Sequence, residues 1–309
     1  MFHEQFSCFN FSLENYFQSR EKGFERMGSF LGHVAPGSFF IAFSLWWTFS
    51  VFKRYFRSVI RPNSQPYRST ATFTSRKSKI PIEALLKLVA SVTGIIGEGI
   101  TGFDADWNYD NIMNNLQHML MFFFYMMNAI SDLAVFYKIS HVPHNIDYLF
   151  ALIAVFNEGF LFANHLHGRK VLDVKLHMCL VVSIGACFLA TLIELIMDKS
   201  DVRPAIFRCV CHLWQGTWFY HIAFVLYPPP GMHTWEQDNH ANAMLTVLFF
   251  MLHLAFNIMV VILVAIAVYL KERKNQHFEY KPISTNGHAR TINNCSDNEE
   301  KEELLLNSC

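Results

Sequence analysis

The sequence lacks net charge: 25 Lys and Arg stand against 25 Asp and Glu. It therefore has no basic excess of the kind a nucleic-acid partner requires. Charge of either sign is scarce, at 16% of residues against 52% hydrophobic ones, and the mean hydropathy is +0.21. That balance excludes an ordinary soluble domain. Cysteine is thin as well. Of the 7 cysteines only Cys8 falls where a luminal segment is expected, so a disulfide framework is excluded. The first 26 residues hold no clean apolar core with a small-residue cleavage site, and no cleavable signal is expected there. The apolar stretches lack the period-two alternation of barrel strands. No HExxH motif occurs, and the two halves show no internal repeat of the kind that many transporters carry.

What the sequence does have is apolar length. A bilayer core about 30 Å thick needs roughly 20 mostly apolar residues per helical span. Seven windows meet that need, at 35–52, 82–101, 116–137, 147–165, 175–197, 205–227 and 243–270. In lipid the backbone must satisfy itself, so without barrel strands these are helices. The expected fold is all-α, a polytopic bundle of seven transmembrane helices. A segment 1–34 precedes it, the transmembrane domain occupies 35–270, and a disordered tail covers 271–309, where apolar periodicity gives way to Asn, Ser, Glu and Lys.

Orientation follows from Lys and Arg. Lys53, Arg54, Arg57, Arg61, Arg68, Arg76, Lys77 and Lys79 crowd the first connection, whereas segments 102–115 and 228–242 carry none. The positive-inside rule then places the N-terminus in the lumen or outside and the C-terminus in the cytosol. Arg169 and Lys170 fall on the luminal side against this trend. The Ser/Thr-rich stretch 58–79 reads as a flexible, solvated loop, and Pro36-Gly37 as a turn at the luminal surface.

The remaining polar residues are placed by depth. The stretch Phe156–Gly168, FNEGFLFANHLHG, sets Glu158 inside an apolar run and ends it with His165 and His167. At about 1.5 Å of rise per residue, Glu98, His118, His165, His167 and His177 all fall near the luminal ends of their spans, with Glu158 deeper. His118, Tyr125 and Asp132 recur every seven residues and share one helical face. Asp173 and His177, four apart, can touch. An ionisable group in the bilayer needs a partner, a cavity or a pathway. Glu98, His118, Glu158, His165, His167 and His177 together suit a divalent transition metal such as zinc or iron, and the lack of cysteine in that layer argues against a thiolate site. They equally suit a hydrogen-bonded network in which Glu158 meets Gln117, Gln215 or Asn157. Glu83 with Lys87, and Glu194, are expected to pair or snorkel at the cytosolic ends of their spans.

Several short motifs resemble one family. GHVAPGSFF (32–40), SVTGIIGE (91–98), LQHMLMFFF (116–124), SHVP (140–143), EGFLFANHLHGR (158–169), WQGTWF (214–219), FVLYPP (224–229) and WEQDNHAN (235–242) closely resemble the transmembrane protein 45 family. The likeness runs from about Met27 to Leu270 in order. It implies a seven-span protein of Golgi or endolysosomal membranes with no established enzyme activity. His33, Glu98, His118, Glu158, His165, His167 and His177 match the family pattern. His221, His240 and Leu252 depart from it.

Three functional classes follow. The first is a non-enzymatic membrane protein whose luminal His/Glu layer binds a cation or stabilises the bundle. The second is a metal-dependent intramembrane hydrolase acting on lipid. Such enzymes use a Ser/Asp/His pattern, which Asp173 and His177 only partly supply. The third is a proton-linked channel or transporter. Expected partners are membrane lipid and a clathrin adaptor reading the acidic dileucine pattern at Glu300, Leu304 and Leu305.

Overall fold

The structure, a computed structural model, describes residues 2–61, 64–73, 80–102, 109–164, 166 and 169–279. His165, His167 and the dileucine pattern lie outside them. Seven helices follow in order: α1 (Phe2–Ile60), α2 (Ile82–Gly102), α3 (Tyr109–Phe136), α4 (Ile146–Asn164), α5 (Val171–Ile196), α6 (Arg203–Leu226) and α7 (His240–Glu279). They correspond one to one with the seven apolar windows, and no strand occurs among the described residues.

Six helices are long and apolar enough to cross a membrane; α6 is the exception. Its position explains its composition. It packs against α1, α5 and α7, and only Arg203, Phe207 and Phe224 along it are exposed. A helix shielded by its neighbours need not be apolar on every face, because its polar side chains meet protein rather than lipid. Arg208, His212 and Gln215 are accordingly buried. The main core lies where α5 and α6 meet, around Leu172, Leu176, Leu180, Ile184, Trp218 and Ile222, each no more than 1% exposed.

Pro36-Gly37 is not a turn. α1 runs through Pro36, and the Ser38 hydroxyl donates to the Val34 carbonyl at 2.7 Å. The proline removes one amide, which leaves the Gly32 carbonyl without its usual helical donor, but neighbouring bonds carry the helix across. Gly37 serves close approach instead: a Cβ there would stand 3.0 Å from the Gly216 carbonyl oxygen of α6.

The second correction concerns the connection after α1. Residues 58–60 form the end of α1, and of the described residues 64–73, Tyr67, Ser69, Ala71 and Phe73 are buried rather than solvated. The Ser69 amide donates to the Lys199 carbonyl at 2.8 Å, and the Phe73 amide donates to Glu83 at 2.9 Å. Backbone groups that would have needed water are thus satisfied by the bundle.

Candidate functional site

The helices alternate in direction. One end of the bundle, here the basic end, collects Lys53, Arg57, Arg61 and Lys271; the other, the histidine end, collects His33, His118 and His177. The seven-residue row on α3 meets a different partner at each level, as its shared face requires.

At the histidine end His118 Nδ1 lies 3.3 Å from the Glu98 carboxylate of α2. In the middle the Tyr125 hydroxyl donates to Glu158 Oε2 at 2.6 Å. Toward the basic end Lys87 donates to Asp132 Oδ2 at 2.9 Å and lies 3.2 Å from Glu83. Glu83 is the best-satisfied acid of that level. It accepts from the indoles of Trp46 and Trp47 at 3.0 and 2.8 Å, as well as from the Phe73 amide.

Glu158 joins three helices. Besides Tyr125 of α3, its Oε1 accepts from the Gln215 side-chain amide of α6 at 2.9 Å, and the residue is only 3% exposed. The described partners of its carboxylate are therefore a phenol and an amide. Gln215, one of the three bonding partners expected for it, is the one that makes the bond.

His177 is 1% exposed and turns back on its own helix, with Nδ1 2.7 Å from Asp173 Oδ1 and 3.0 Å from the Asp173 carbonyl. A proton on Nδ1 serves both oxygens and fixes the orientation of the ring. Arg169 donates to both Asp173 oxygens at 3.1 Å, which turns an apparent violation of the charge rule into an i,i+4 pair. The His33 ring meets His177 edge-on at 5.8 Å, and Phe162 lies between His118 and His177 at 6.4 and 6.2 Å. The structure thus gathers Glu98, His118 and His177 at one end, with an aromatic ring between the two histidines, and sets Glu158 deeper. Among the described residues no three His, Cys, Asp or Glu side chains are grouped as a metal set.

The heaviest polar investment was not singled out as a site by sequence reasoning. Glu194 of α5 and Arg208 of α6, 1% and 3% exposed, form an ion pair across the turn between their helices. The Tyr148 hydroxyl donates to Glu194 at 2.9 Å, and the Ser69 hydroxyl donates to it as well. Arg208 also donates to the Thr70 carbonyl at 3.2 Å and stacks over Trp47 at 4.5 Å. The signal that could have found the pair was an arginine inside an apolar window at the depth of an acid in the preceding span. Nearby, burial pushes the Lys199 ammonium below its ordinary range, and burial with the Glu194 charge pushes the Tyr67 phenol above its own. Tyr67 stays neutral, its hydroxyl buried without a hydrogen-bond partner among the described residues.

Comparison with known proteins agrees with this architecture. Residues 144–267 match the model of a family described as "Family of unknown function (DUF716)". The chain is similar to Transmembrane epididymal protein 1A of Mus musculus, 23% identical over 254 residues that cover 75% of this chain and 78% of that protein. It is similar to Transmembrane epididymal protein 1 of Rattus norvegicus, 23% identical over 243 residues with coverage of 75% and 78%. The chain is a multi-pass integral membrane protein whose residues 144–267, from the start of α4 into α7, match the DUF716 family model.

Proposed function

We propose that this is a non-enzymatic, seven-span membrane protein of the transmembrane protein 45 type, N-terminus luminal and C-terminus cytosolic, whose buried acids lock the bundle into one arrangement. One observation carries this reading: both oxygens of Glu158 accept hydrogen bonds from side chains of two other helices, α3 and α6. A carboxylate so occupied serves as a joint between helices. The seventh span is α6. Its 24 residues extend about 36 Å at 1.5 Å per residue, enough to cross the hydrocarbon core.

A cation site formed by Glu98, His118, Glu158, His165, His167 and His177 is the second reading. What favours it is the contact of His177 Nδ1 with Asp173, which steadies the ring as outer-shell carboxylates do for metal-bound histidines. One set of preparations separates the two. Glu158→Leu leaves the Tyr125 hydroxyl and the Gln215 amide buried without their acceptor and should lower stability by about 1–3 kcal/mol. Glu158→Gln should cost less. Thermal unfolding in detergent measures this, and elemental mass spectrometry on the same samples measures metal. A Glu158→Leu protein as stable as the parent would remove the lock. Near-stoichiometric zinc or iron, lost in a His118→Ala, His177→Ala protein, would put the cation reading first.

The residence we propose is Golgi or endolysosomal membrane, reached through a clathrin adaptor that reads Glu300, Leu304 and Leu305. Microscopy of a tagged chain should show Leu304→Ala, Leu305→Ala redistributed toward the cell surface. An unchanged distribution would discard the adaptor.

A further inference from the structure

At the basic end, α1 presents Lys53 and Arg57 at i and i+4, and Arg61, the first residue after the helix, continues the stripe, its amide donating to the Arg57 carbonyl at 3.0 Å. Like charges at this spacing repel one another. The stripe faces α7, which supplies a single buried carboxylate, Glu272. Its Oε2 takes Arg57 at 2.9 Å and Arg61 at 3.4 Å. α7 adds a further cation at the adjacent position: Lys271 Nζ lies 5.7 Å from the centre of the Phe49 ring, and Lys53 Nζ lies 5.4 Å from the same ring. Four cations thus stand around one acid. Neither lysine is paired with a carboxylate among the described residues, and the Arg57 side chain is 42% exposed although its Nε is engaged.

The level of this cluster is also fixed. Gln276 of α7 donates to the Ile60 carbonyl at 3.0 Å, so the apolar runs of α1 and α7 stop together. Cations at the point where two apolar helices emerge lie among lipid headgroups. Two ammonium groups sharing one aromatic ring are held there by its quadrupole, with their stems along apolar surface.

We infer that the α1–α7 seam formed by Lys53, Arg57, Arg61 and Lys271 is a binding site for the phosphorylated headgroup of an anionic membrane phospholipid. Its chemistry is that of a phosphate monoester: arginine donates in a planar fork, lysine supplies a point charge, and Glu272 sets the arginine orientation. A lipid is assigned rather than free phosphate because the site adjoins the apolar flank of α7, where Ile266 and Leu270 are 50% and 57% exposed.

The test uses the full-length chain in neutral detergent, with binding followed by thermophoresis. Dioctanoyl phosphatidylinositol bisphosphate should bind saturably and dioctanoyl phosphatidylcholine should not. Lys53→Gln, Lys271→Gln removes two cations and no ion pair, so the protein should keep its melting temperature while affinity falls on the order of thirty-fold. Arg203→Gln, an exposed cation of the same end held by Asp201, should bind like the parent. The site is overturned if the double lysine variant binds unchanged, if Arg203→Gln loses as much, or if phosphatidylcholine binds equally. Inositol trisphosphate binding as tightly as the lipid would overturn the lipid assignment.

Discussion

Arg208→Met should be the most damaging single side-chain truncation in this protein. The guanidinium it removes neutralises Glu194, hydrogen-bonds the Thr70 carbonyl and covers Trp47. Methionine replaces the volume but not the charge, so Glu194 is left enclosed without its cation. Removing one partner of a buried pair costs about 3–5 kcal/mol, much more than the pair contributes against an apolar replacement. For a chain of this size that corresponds to a melting temperature lower by roughly 10 °C. Tyr148 and Ser69 still donate to the stranded carboxylate and soften the loss without cancelling it. The double change Arg208→Met, Glu194→Leu should recover most of the stability, because no charge is left behind. A double variant as unstable as the single one would show that the pair also holds the 64–73 segment in place. Thermal unfolding monitored by size-exclusion chromatography distinguishes the two, with protease access to the 64–73 segment as the second reading.

The same pair shows where sequence reading reached and where it stopped. Spans were legible because lipid demands a long apolar run, and each of the seven windows found its helix. The α3 row was legible because His118, Tyr125 and Asp132 share a face by periodicity alone. Periodicity says nothing about the partner. Lys87, Glu158 and Glu98 come from other helices and are met only after packing. The segment 64–73 was read as solvated because Ser, Thr and Gln usually are. Three of its anchors, Lys199, Glu194 and Arg208, lie more than 120 positions away, and no local pattern reports them. Pro36-Gly37 misled for a related reason. The pair ordinarily marks a turn, whereas here glycine is required by a helix on the other side of the sequence.

That requirement supplies the second large prediction, at the crossing of α1 and α6. A Cβ on Gly216 would come within 2.9 Å of the Ile41 amide nitrogen, the Ile41 side chain and the Phe40 Cβ. Two of these contacts belong to parts of α1 that cannot rotate aside, so α1 must move. Small residues allow such close helix contact in membranes, where packing rather than the hydrophobic effect holds helices together. Gly216→Ala should therefore destabilise by about 1–3 kcal/mol, and Gly216→Leu by more. Gly185→Ala is the control, because nothing lies within 4 Å of its added Cβ. There the helix should gain, by about 0.5–1 kcal/mol, from losing a glycine. The displacement would not stay local. α1 carries Ser38, which bonds the Tyr220 hydroxyl at 2.6 Å, and Trp46 and Trp47, which donate to Glu83. Moving α1 away from α6 therefore strains the joint to α2 and, through Lys87, the pairing to α3. Gly216→Ala should lower the melting temperature while Gly185→Ala raises it; equal responses would mean that the α1–α6 contact is looser than its glycines indicate.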